Sequence, residues 1–295
     1  MFNRLETYIA ELQADPVAFL ITMAYTWVVI LFSLILHECA HGYVAYRCGD
    51  PTAKMLGRLS LNPARHLDPI GTLCMFLLGF GWAKPVPVNP RNFRNYRRDD
   101  LLVSIAGVTV NLALFLIAVL LSCAVNRIMM GPELIADMME AYDVGVEPFV
   151  SPMYNVGSFL MDGDWEALAD FFPYAYERSF SGKLEILEGW AALEYHLAVP
   201  WLLYVQRLLM LMAQVNLTLA IFNLLPIPPL DGFHVFNDIL LKGKLRLDQR
   251  AFQITRVVLA VLLISGALST VLSKAVVFVY ENVLHLFLML TGQGV

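Results

Sequence analysis

The chain has 295 residues, of which 58% are hydrophobic and only 15% are charged, and its formal net charge is −5. Soluble domains are usually about half apolar and about a quarter charged, so this composition favours a polytopic membrane protein. The negative charge and the lack of a basic stripe argue against nucleic acid as a partner. No CxxC pair occurs among the four cysteines, which argues against a disulfide framework and against a cysteine metal site.

The N-terminal segment, residues 1–16, does not have the features of a secretory signal peptide, because no basic start leads directly into an apolar stretch. Its apolar side chains recur at helical spacing, at Leu5, Tyr8, Ile9 and Leu12. We therefore expect an amphipathic helix at the membrane interface, and a solvated helix fits the same pattern.

The first apolar run, from Val17 to Leu36, contains no charged residue. About 20 residues at a rise of about 1.5 Å cover about 30 Å, the thickness of the hydrocarbon core. The run predicts a transmembrane helix that continues to about Tyr46. Residues 69–82 are apolar but too short to cross the bilayer comfortably, so we expect a short re-entrant segment there. The proline-broken stretch WAKPVPVNP that follows predicts a small membrane-associated β element with edge-strand character.

Further apolar runs predict helices over residues 101–125, 200–225, 251–272 and 275–290. For the less apolar, acidic segment 126–199 we expect short helices near Pro132–Asp143, Asp164–Tyr176 and Leu184–His196. The predicted fold class is an all-α polytopic membrane protein with about five to six transmembrane helices. We divide the chain into an interfacial segment (1–16), a first core half (17–125), an acidic extracytoplasmic insertion (126–199), a second core half (200–240) and C-terminal helices (241–295).

Basic residues indicate the orientation of these helices. Lysine and arginine concentrate in three connections, which follow the first helix, precede residue 101 and follow residue 240. Connections rich in these residues usually face the cytoplasm. The insertion 126–199 is acidic and is expected to face outward. The helices that end near Tyr46 and Leu225 would then both run from outside to inside. Their C-terminal ends should therefore reach a similar depth on the cytoplasmic side.

The sequence His-Glu-Cys-Ala-His at residues 37–41 lies near the end of the first of these two helices. Side chains four residues apart share one face of a helix, so His37 and His41 can bind one metal ion. Glu38 is placed to accept a proton from a metal-activated water. The alternative is that these are ordinary polar residues at a helix end. Ionisable groups at membrane depth are costly and usually functional, which favours the metal site.

A catalytic zinc usually has three protein ligands, so a third ligand is needed beside the two histidines. Asp231, in NLLPIPPLDGFHVF, is the best candidate because it follows the second outside-to-inside helix. The prolines at 226, 228 and 229 must interrupt regular helix there. Irregular backbone near membrane depth is tolerated where it lines a cavity or is buried in protein. The alternative is that PPLDG is a simple turn at a helix end.

These motifs together resemble the site-2 protease family of intramembrane metalloproteases. The features that match are HECAH, the connection DPTAKMLGRLSLNPARHLDP, WAKPVPVNP, IAGVTVNL and FNLLPIPPLDG. The resemblance implies one Zn²⁺ ion bound by His37, His41 and Asp231, with Glu38 as catalytic base. It also implies that Asn223 and Asn111 lie near the metal and bind the substrate or its oxyanion. The insertion 126–199 matches nothing in the family core.

The expected activity is hydrolysis of peptide bonds in or near transmembrane segments of membrane proteins, as in regulated intramembrane proteolysis. The expected partners are a transmembrane protein substrate, the lipid bilayer and a regulatory membrane protein. The lack of a targeting sequence is compatible with a bacterial inner membrane. Two alternatives remain, a metal transporter that uses HECAH as a transport site and a catalytically silent scaffold. The insertion 126–199 could filter substrates, contact a partner or form a lid, and the sequence does not separate these roles.

Overall fold

The computed structural model of the chain describes residues 8–10, 12–13, 16–69, 71–72, 83–143, 175–178, 184–187, 198–199, 201–245 and 247–292. Its α-helices are α1 (Pro16–Cys48), α2 (Thr52–Met55), α3 (Tyr96–Asp143), α4 (Leu202–Asn223), α5 (Asp231–Ile239), α6 (Gln249–Ile264) and α7 (Ala267–Leu290). Two 3₁₀ turns cover Pro63–Arg65 and Pro90–Asn92, and two strands are β1 (Ala175–Arg178) and β2 (Leu184–Leu187). The architecture is therefore mostly helical, as predicted.

Four helices in the described part of the chain are long and apolar enough to cross a membrane. Their candidate spans are Phe19–Cys48, Tyr96–Met129, Tyr204–Asn223 and Thr270–Leu290. Many large apolar side chains on them are exposed, for example Val28, Ile117 and Phe278, as expected for helices that face lipid. Helix α6 has 16 residues, fewer than the roughly 20 that a full crossing requires. The predicted count of five to six spans is therefore not confirmed.

Helix boundaries in the C-terminal part differ from the prediction. The break lies at Ser265–Gly266 instead of beyond Leu272, so α6 is shorter and α7 longer than expected. Gly266 has a positive φ of 77°, a conformation that glycine adopts without steric cost and that ends a helix. Residues 132–143 are helical as predicted, but they continue α3, which runs without interruption from Tyr96 to Asp143, instead of forming a separate short helix. A proline removes one backbone hydrogen bond but does not always end an apolar helix.

The insertion contains a β-hairpin where helices were predicted. Strands β1 and β2 pair antiparallel, with Tyr176 opposite Ile186 and Arg178 opposite Leu184. The predicted helices over Asp164–Tyr176 and Leu184–His196 are therefore wrong at the residues that form these strands, where aromatic and β-branched residues favour pairing. The rest of both ranges lies outside the described residues, as does most of the predicted re-entrant segment 69–82.

The predicted β element at residues 83–89 is not confirmed, since the described pairing there is a single antiparallel bridge between Leu67 and Ala83. Residues 84–89 form no regular secondary structure. Proline at 85 and 87 explains this, because each proline removes a donor that a ladder would need.

The chain forms two compact units, each built from separate stretches of sequence. The first comprises Met1–Phe115 and Gln214–Val276, and the second comprises Leu116–Ala213 and Val277–Val295. Within the first unit, the buried Nδ2 of Asn216 in α4 donates to the Oγ of Ser33 in α1 at 2.9 Å. Within the second, a guanidinium nitrogen of Arg127 donates to the carbonyl oxygen of Thr291 at 2.7 Å. All residues that the sequence predicts for the metal site belong to the first unit.

Candidate metal centre

Helix α1 brings the two histidines of HECAH together, as the four-residue spacing predicts. The Nε2 atoms of His37 and His41 lie 3.0 Å apart, and their rings are nearly perpendicular, with centroids 4.7 Å apart. His37 is buried and His41 is partly buried. The two ring nitrogens therefore face one small volume beside the helix.

Asp231 reaches the same volume from the beginning of α5. Helix α4 ends at Asn223, the proline-rich residues 224–230 form no regular helix, and α5 begins at Asp231 itself. The carboxylate oxygen Oδ2 lies 3.2 Å from Nε2 of His37 and 3.3 Å from Nε2 of His41. Gly232 permits this position, since a Cβ there would lie 2.2 Å from the carbonyl oxygen of Leu224. The juxtaposition of HExxH and LDG is thus present in the structure.

The other ring nitrogen of each histidine has a hydrogen-bond acceptor. Nδ1 of His41 donates to the carbonyl oxygen of Val103 at 2.7 Å, and Nδ1 of His37 donates to Oδ1 of Asn111 at 3.0 Å. In a neutral imidazole one nitrogen carries the hydrogen and the other carries a lone pair. Both Nε2 atoms therefore present lone pairs to the shared volume, in the tautomer that metal ligation requires.

This donor set fits a zinc ion. Two unprotonated imidazole nitrogens and a carboxylate oxygen all carry lone pairs, so they repel one another at about 3 Å unless a cation lies among them. Zinc bonds of about 2.0–2.1 Å at tetrahedral angles would separate the ligand atoms by roughly 3.3 Å, close to the distances observed. Oδ2 of Asp231 is also buried and, in the described structure, has no hydrogen-bond partner. A bound cation would satisfy it.

Helix α3 closes one side of the centre through a glycine. A Cβ at Gly107 would lie 2.4 Å from Cε1 of His37 and 2.5 Å from Nε2 of His41, so only a glycine fits against the two imidazoles. Neither Gly107 nor the Val103 carbonyl is predicted from the sequence as part of the site. The motif IAGVTVNL contained the signal for Gly107, since a glycine inside an apolar helix often marks a close approach.

Glu38 lies next to His37 in α1, and its carboxylate is held by a backbone group. Oε2 of Glu38 accepts a hydrogen bond of 2.7 Å from the amide of Val86. Val86 is a buried residue of the irregular stretch that contains Pro85 and Pro87. The sequence predicts edge-strand character for this stretch, but it does not predict the contact with Glu38.

The two asparagines predicted for substrate binding have different surroundings. Asn111 is fully buried and contacts His37. Asn223, the last residue of α4, donates from Nδ2 to the carbonyl oxygen of Leu219 in its own helix at 3.0 Å. Roles of both residues toward the substrate oxygen stay predictions. The structure adds one contact that the sequence does not predict, in which Asn111 supports the candidate metal ligand His37.

Polar contacts fix α5 against the beginning of α3. The guanidinium of Arg97 donates to the carbonyl oxygen of Asp238 at 2.7 Å, and Nδ1 of His234 lies 3.4 Å from Oδ2 of Asp100. The hydrogen bond with Asp100 raises the pKa of His234 above its ordinary value, although burial opposes this shift. These contacts hold the helix that carries Asp231.

Comparison with known proteins identifies the family. The family described as Peptidase family M50 matches residues 25–265, which include every residue of the metal centre. A protein of Bacillus subtilis (strain 168) named as a zinc metalloprotease, YwhC, is 34% identical over 221 residues, covering 75% of this chain and 71% of that protein.

The zinc metalloprotease Rip2, as it is named in Mycobacterium tuberculosis (strain H37Rv), is 37% identical over 108 residues, covering 35% of this chain and 39% of Rip2. The Rip2 of Mycolicibacterium smegmatis is 33% identical over 89 residues, covering 28% of this chain and 34% of that protein. No solved structure matches the chain.

The match to the family covers most of the chain. It agrees with the convergence of His37, His41 and Asp231 and with the four long apolar helices found among the described residues. The chain is an integral membrane protein whose cofactor is zinc. It belongs to peptidase family M50, the site-2 protease family of zinc metalloendopeptidases.

Proposed function

We propose that this chain is an intramembrane protease that hydrolyses peptide bonds in or near transmembrane segments of other membrane proteins. One observation carries the proposal. Two of the three convergent metal-binding side chains, His37 and His41, lie within the candidate span Phe19–Cys48 of α1. Ionisable groups in such a helix are costly to bury in lipid and usually serve a function. A centre in this position would meet its substrate at the level of the bilayer.

The proposed ligands are His37, His41 and Asp231, and the proposed catalytic base is Glu38. Bound zinc would supply a Lewis acid that polarises the scissile carbonyl and makes water more acidic. Glu38 takes the proton from the attacking water and later delivers a proton to the leaving amine. Asn223 is the proposed donor to the substrate oxygen on which charge develops.

The substrate backbone must be extended where it is cut, because a regular helix keeps its carbonyl groups in hydrogen bonds. A transmembrane segment of the substrate would therefore unwind locally. Residues 83–89 are the proposed contact for it. Between Pro85 and Pro87 this contact would rely on carbonyl acceptors, since the two prolines have no N–H and the amide of Val86 is already bonded to Glu38.

The proposed location is a bacterial inner membrane with the active site toward the cytoplasm. The support is the concentration of arginine and lysine at the adjoining ends of α1 and α3 and in the connection between these helices, among them Arg47, Arg58, Lys84 and Arg97. Cleavage on this side would release the cytoplasmic part of a substrate. This consequence is the basis for proposing a role in regulated intramembrane proteolysis.

The test uses the purified full chain, reconstituted in lipid vesicles with a single-span substrate. Zinc content is measured by atomic absorption, and cleavage sites are mapped by mass spectrometry. We expect wild type to bind one zinc ion and to cut within or beside the apolar segment. Glu38→Gln should keep the zinc and lose about 10²–10⁴-fold in rate. Asp231→Asn should lose zinc, and Asp248→Asn, which makes the same change at a helix N-cap before α6, should resemble wild type.

Cleavage by Glu38→Gln at the wild-type rate would refute the assigned base. Full zinc content and activity in Asp231→Asn would refute the third ligand. If wild type cut only soluble loops far from the apolar segment, the chain would be a peptidase but not one that acts in the membrane.

A further inference from the structure

Asp50 is a buried carboxylate with an unusually complete set of donors. It follows the C-terminal end of α1, has no exposed surface, and is not among the residues of the metal centre. Its two oxygens accept four hydrogen bonds. Oδ1 accepts from the backbone N–H of Thr52 (3.1 Å), from the hydroxyl of Thr52 (2.5 Å) and from Nδ2 of Asn92 (2.7 Å). Oδ2 accepts from the backbone N–H of Asn89 (2.7 Å).

These donors keep the carboxylate charged. Burial opposes ionisation of Asp50, but hydrogen bonds from Asn89, Thr52 and Asn92 hold the pKa of its carboxyl below the ordinary value. Hydrogen bonds to an ionised carboxylate are stronger than bonds between neutral groups. Asp50 therefore forms a firm attachment point at the end of the helix that carries HECAH.

Two of the four donors belong to the proline segment, which we define as residues 84–92. Asp50 holds its C-terminal end at Asn89 and Asn92, and the amide of Arg94 beyond it donates to the carbonyl oxygen of Cys48 at 3.1 Å. Gly49, with a φ of 112°, allows the backbone at Asn92 to approach the end of α1 closely, since a Cβ at Gly49 would lie 2.9 Å from the carbonyl oxygen of Asn92.

The N-terminal end of the proline segment is held separately. The amide of Lys84 donates to the carbonyl oxygen of His66 at 2.7 Å, and Arg58 donates to the carbonyl oxygen of Lys84 at 2.7 Å. Between the two ends lies Val86, whose amide is the one hydrogen-bond donor to the Glu38 carboxylate in the described part of the chain. Pro85, Pro87 and Pro90 restrict the backbone, so movement at Asn89 is transmitted to Val86.

We propose that Asp50 is a positioning residue for the general base. Through Asn89 and Asn92 it fixes the proline segment so that the amide of Val86 holds the Glu38 carboxylate in place beside the metal centre. This inference rests on the proposed role of Glu38. Asp50 itself touches neither the metal ligands nor the substrate, and its influence passes through the proline segment.

The main test replaces Asp50 by asparagine in the full chain. The variant has the same shape but no charge, and its NH₂ group cannot accept from the donors that face it. Displacement of a catalytic group by about 1 Å can cost about 100-fold in rate. We therefore expect kcat to fall by about 10- to 100-fold with zinc content equal to wild type. We expect a smaller rise in KM, because residues 83–89 are also the proposed contact for the substrate.

Hydrogen exchange gives a readout that does not depend on activity. The proline segment has few exchangeable amides, because three of its residues are prolines. We expect the amides of Val86 and Asn89 to exchange faster in Asp50→Asn than in wild type, while amides of α1 near His37 keep their protection.

Two further variants separate positioning from general stability. Asn92→Ala removes a contact between Asp50 and the proline segment and should reproduce part of the loss in kcat. Thr52→Val removes a donor to the same carboxylate that lies outside this segment and should leave kcat near the wild-type value. Asp248→Asn serves as the control for the change from carboxylate to amide.

The proposal is overturned if Val86 exchanges at the wild-type rate in Asp50→Asn, or if Thr52→Val and Asn92→Ala lose kcat equally and in proportion to their loss of thermal stability. A wild-type protein that binds zinc but cuts no substrate would count against the proposed function, and the exchange at Val86 would still decide whether Asp50 fixes this segment.

Discussion

Oδ1 of Asn111 in α3 accepts a hydrogen bond from Nδ1 of His37 in α1, at 3.0 Å and without exposure to solvent. This contact sets the tautomer and the ring orientation of a proposed zinc ligand from a different helix. Such supporting hydrogen bonds commonly contribute about 10- to 100-fold to metal affinity.

The first prediction is that Asn111→Leu, which keeps the volume but removes the acceptor, weakens zinc binding by about 10- to 100-fold. Competition with a chelator of known affinity measures the change. The matched control is Asn282→Leu, because Asn282 in α7 donates to the carbonyl oxygen of Phe278 in its own helix. Equal zinc affinity in the two variants would show that the contact between Asn111 and His37 does not support the metal.

The second prediction concerns the close approach of Gly107 to the imidazoles. Gly107→Ala should lower zinc content and peptidase activity together, because the new methyl group would overlap both rings. Alanine is the better helix former by about 0.8–1.0 kcal/mol, so a weaker helix cannot explain a loss. Zinc analysis with circular dichroism separates the two effects. Thr109→Ala, on the exposed side of α3, should keep its zinc, and a Gly107→Ala protein with full zinc would contradict the tight packing.

The third prediction tests the contact between α1 and α4. Ser33→Ala should destabilise the folded protein by about 0.6 kcal/mol, the average for hydrogen bonds between membrane helices, and by no more than about 1.7 kcal/mol, the largest such value. The amide of Asn216 loses this acceptor in a buried position. Unfolding in mixed detergent micelles measures the change. Thr218→Ala removes a hydroxyl that bonds within α4, at Gln214, and should cost less. Equal losses in both variants would mean that the contact between the helices adds no stability.

The fourth prediction is a dependence of stability on pH that involves His234. Its pKa is raised by the hydrogen bond with Asp100, and the nearby Asp231 and Asp238 act in the same direction. The folded state therefore binds this proton more tightly than the unfolded state. The resulting stabilisation is fully present below about pH 6.5, the ordinary pKa of histidine, and is lost as the pH rises through the higher pKa of the folded state.

We accordingly expect the difference in Tm between wild type and His234→Gln to be largest at acidic pH and to shrink above neutrality. The effect should be small, on the order of 0.2–1 kcal/mol, because the His234 side chain is 43% exposed. His285→Gln provides the baseline for replacing a histidine elsewhere. A difference in Tm that grows with pH would reverse the sign of the proposed linkage.

The elements that were predicted correctly depend on local patterns. An uncharged apolar run of about 20 residues specifies a long helix, and α1 occupies Pro16–Cys48 as expected. The boundary between α6 and α7, at Ser265 and Gly266, is predicted at the wrong position, because apolar residues continue on both sides of the break. A single glycine with positive φ decides that boundary, and hydropathy does not detect it. The strands β1 and β2 were missed because their pairing joins residues that are not adjacent in sequence.

For the metal centre, the sequence alone determined which side chains are ligand candidates. Helical periodicity places His37 and His41 on one face regardless of the rest of the fold, and the prolines before Asp231 interrupt the chain wherever it lies. Tertiary structure alone decided what surrounds them: the Val103 carbonyl and Asn111 behind the imidazoles, Gly107 against them and Val86 on Glu38. The physical reason is that these contacts arise from the packing of separate helices and loops, and their distances depend on how every intervening residue folds.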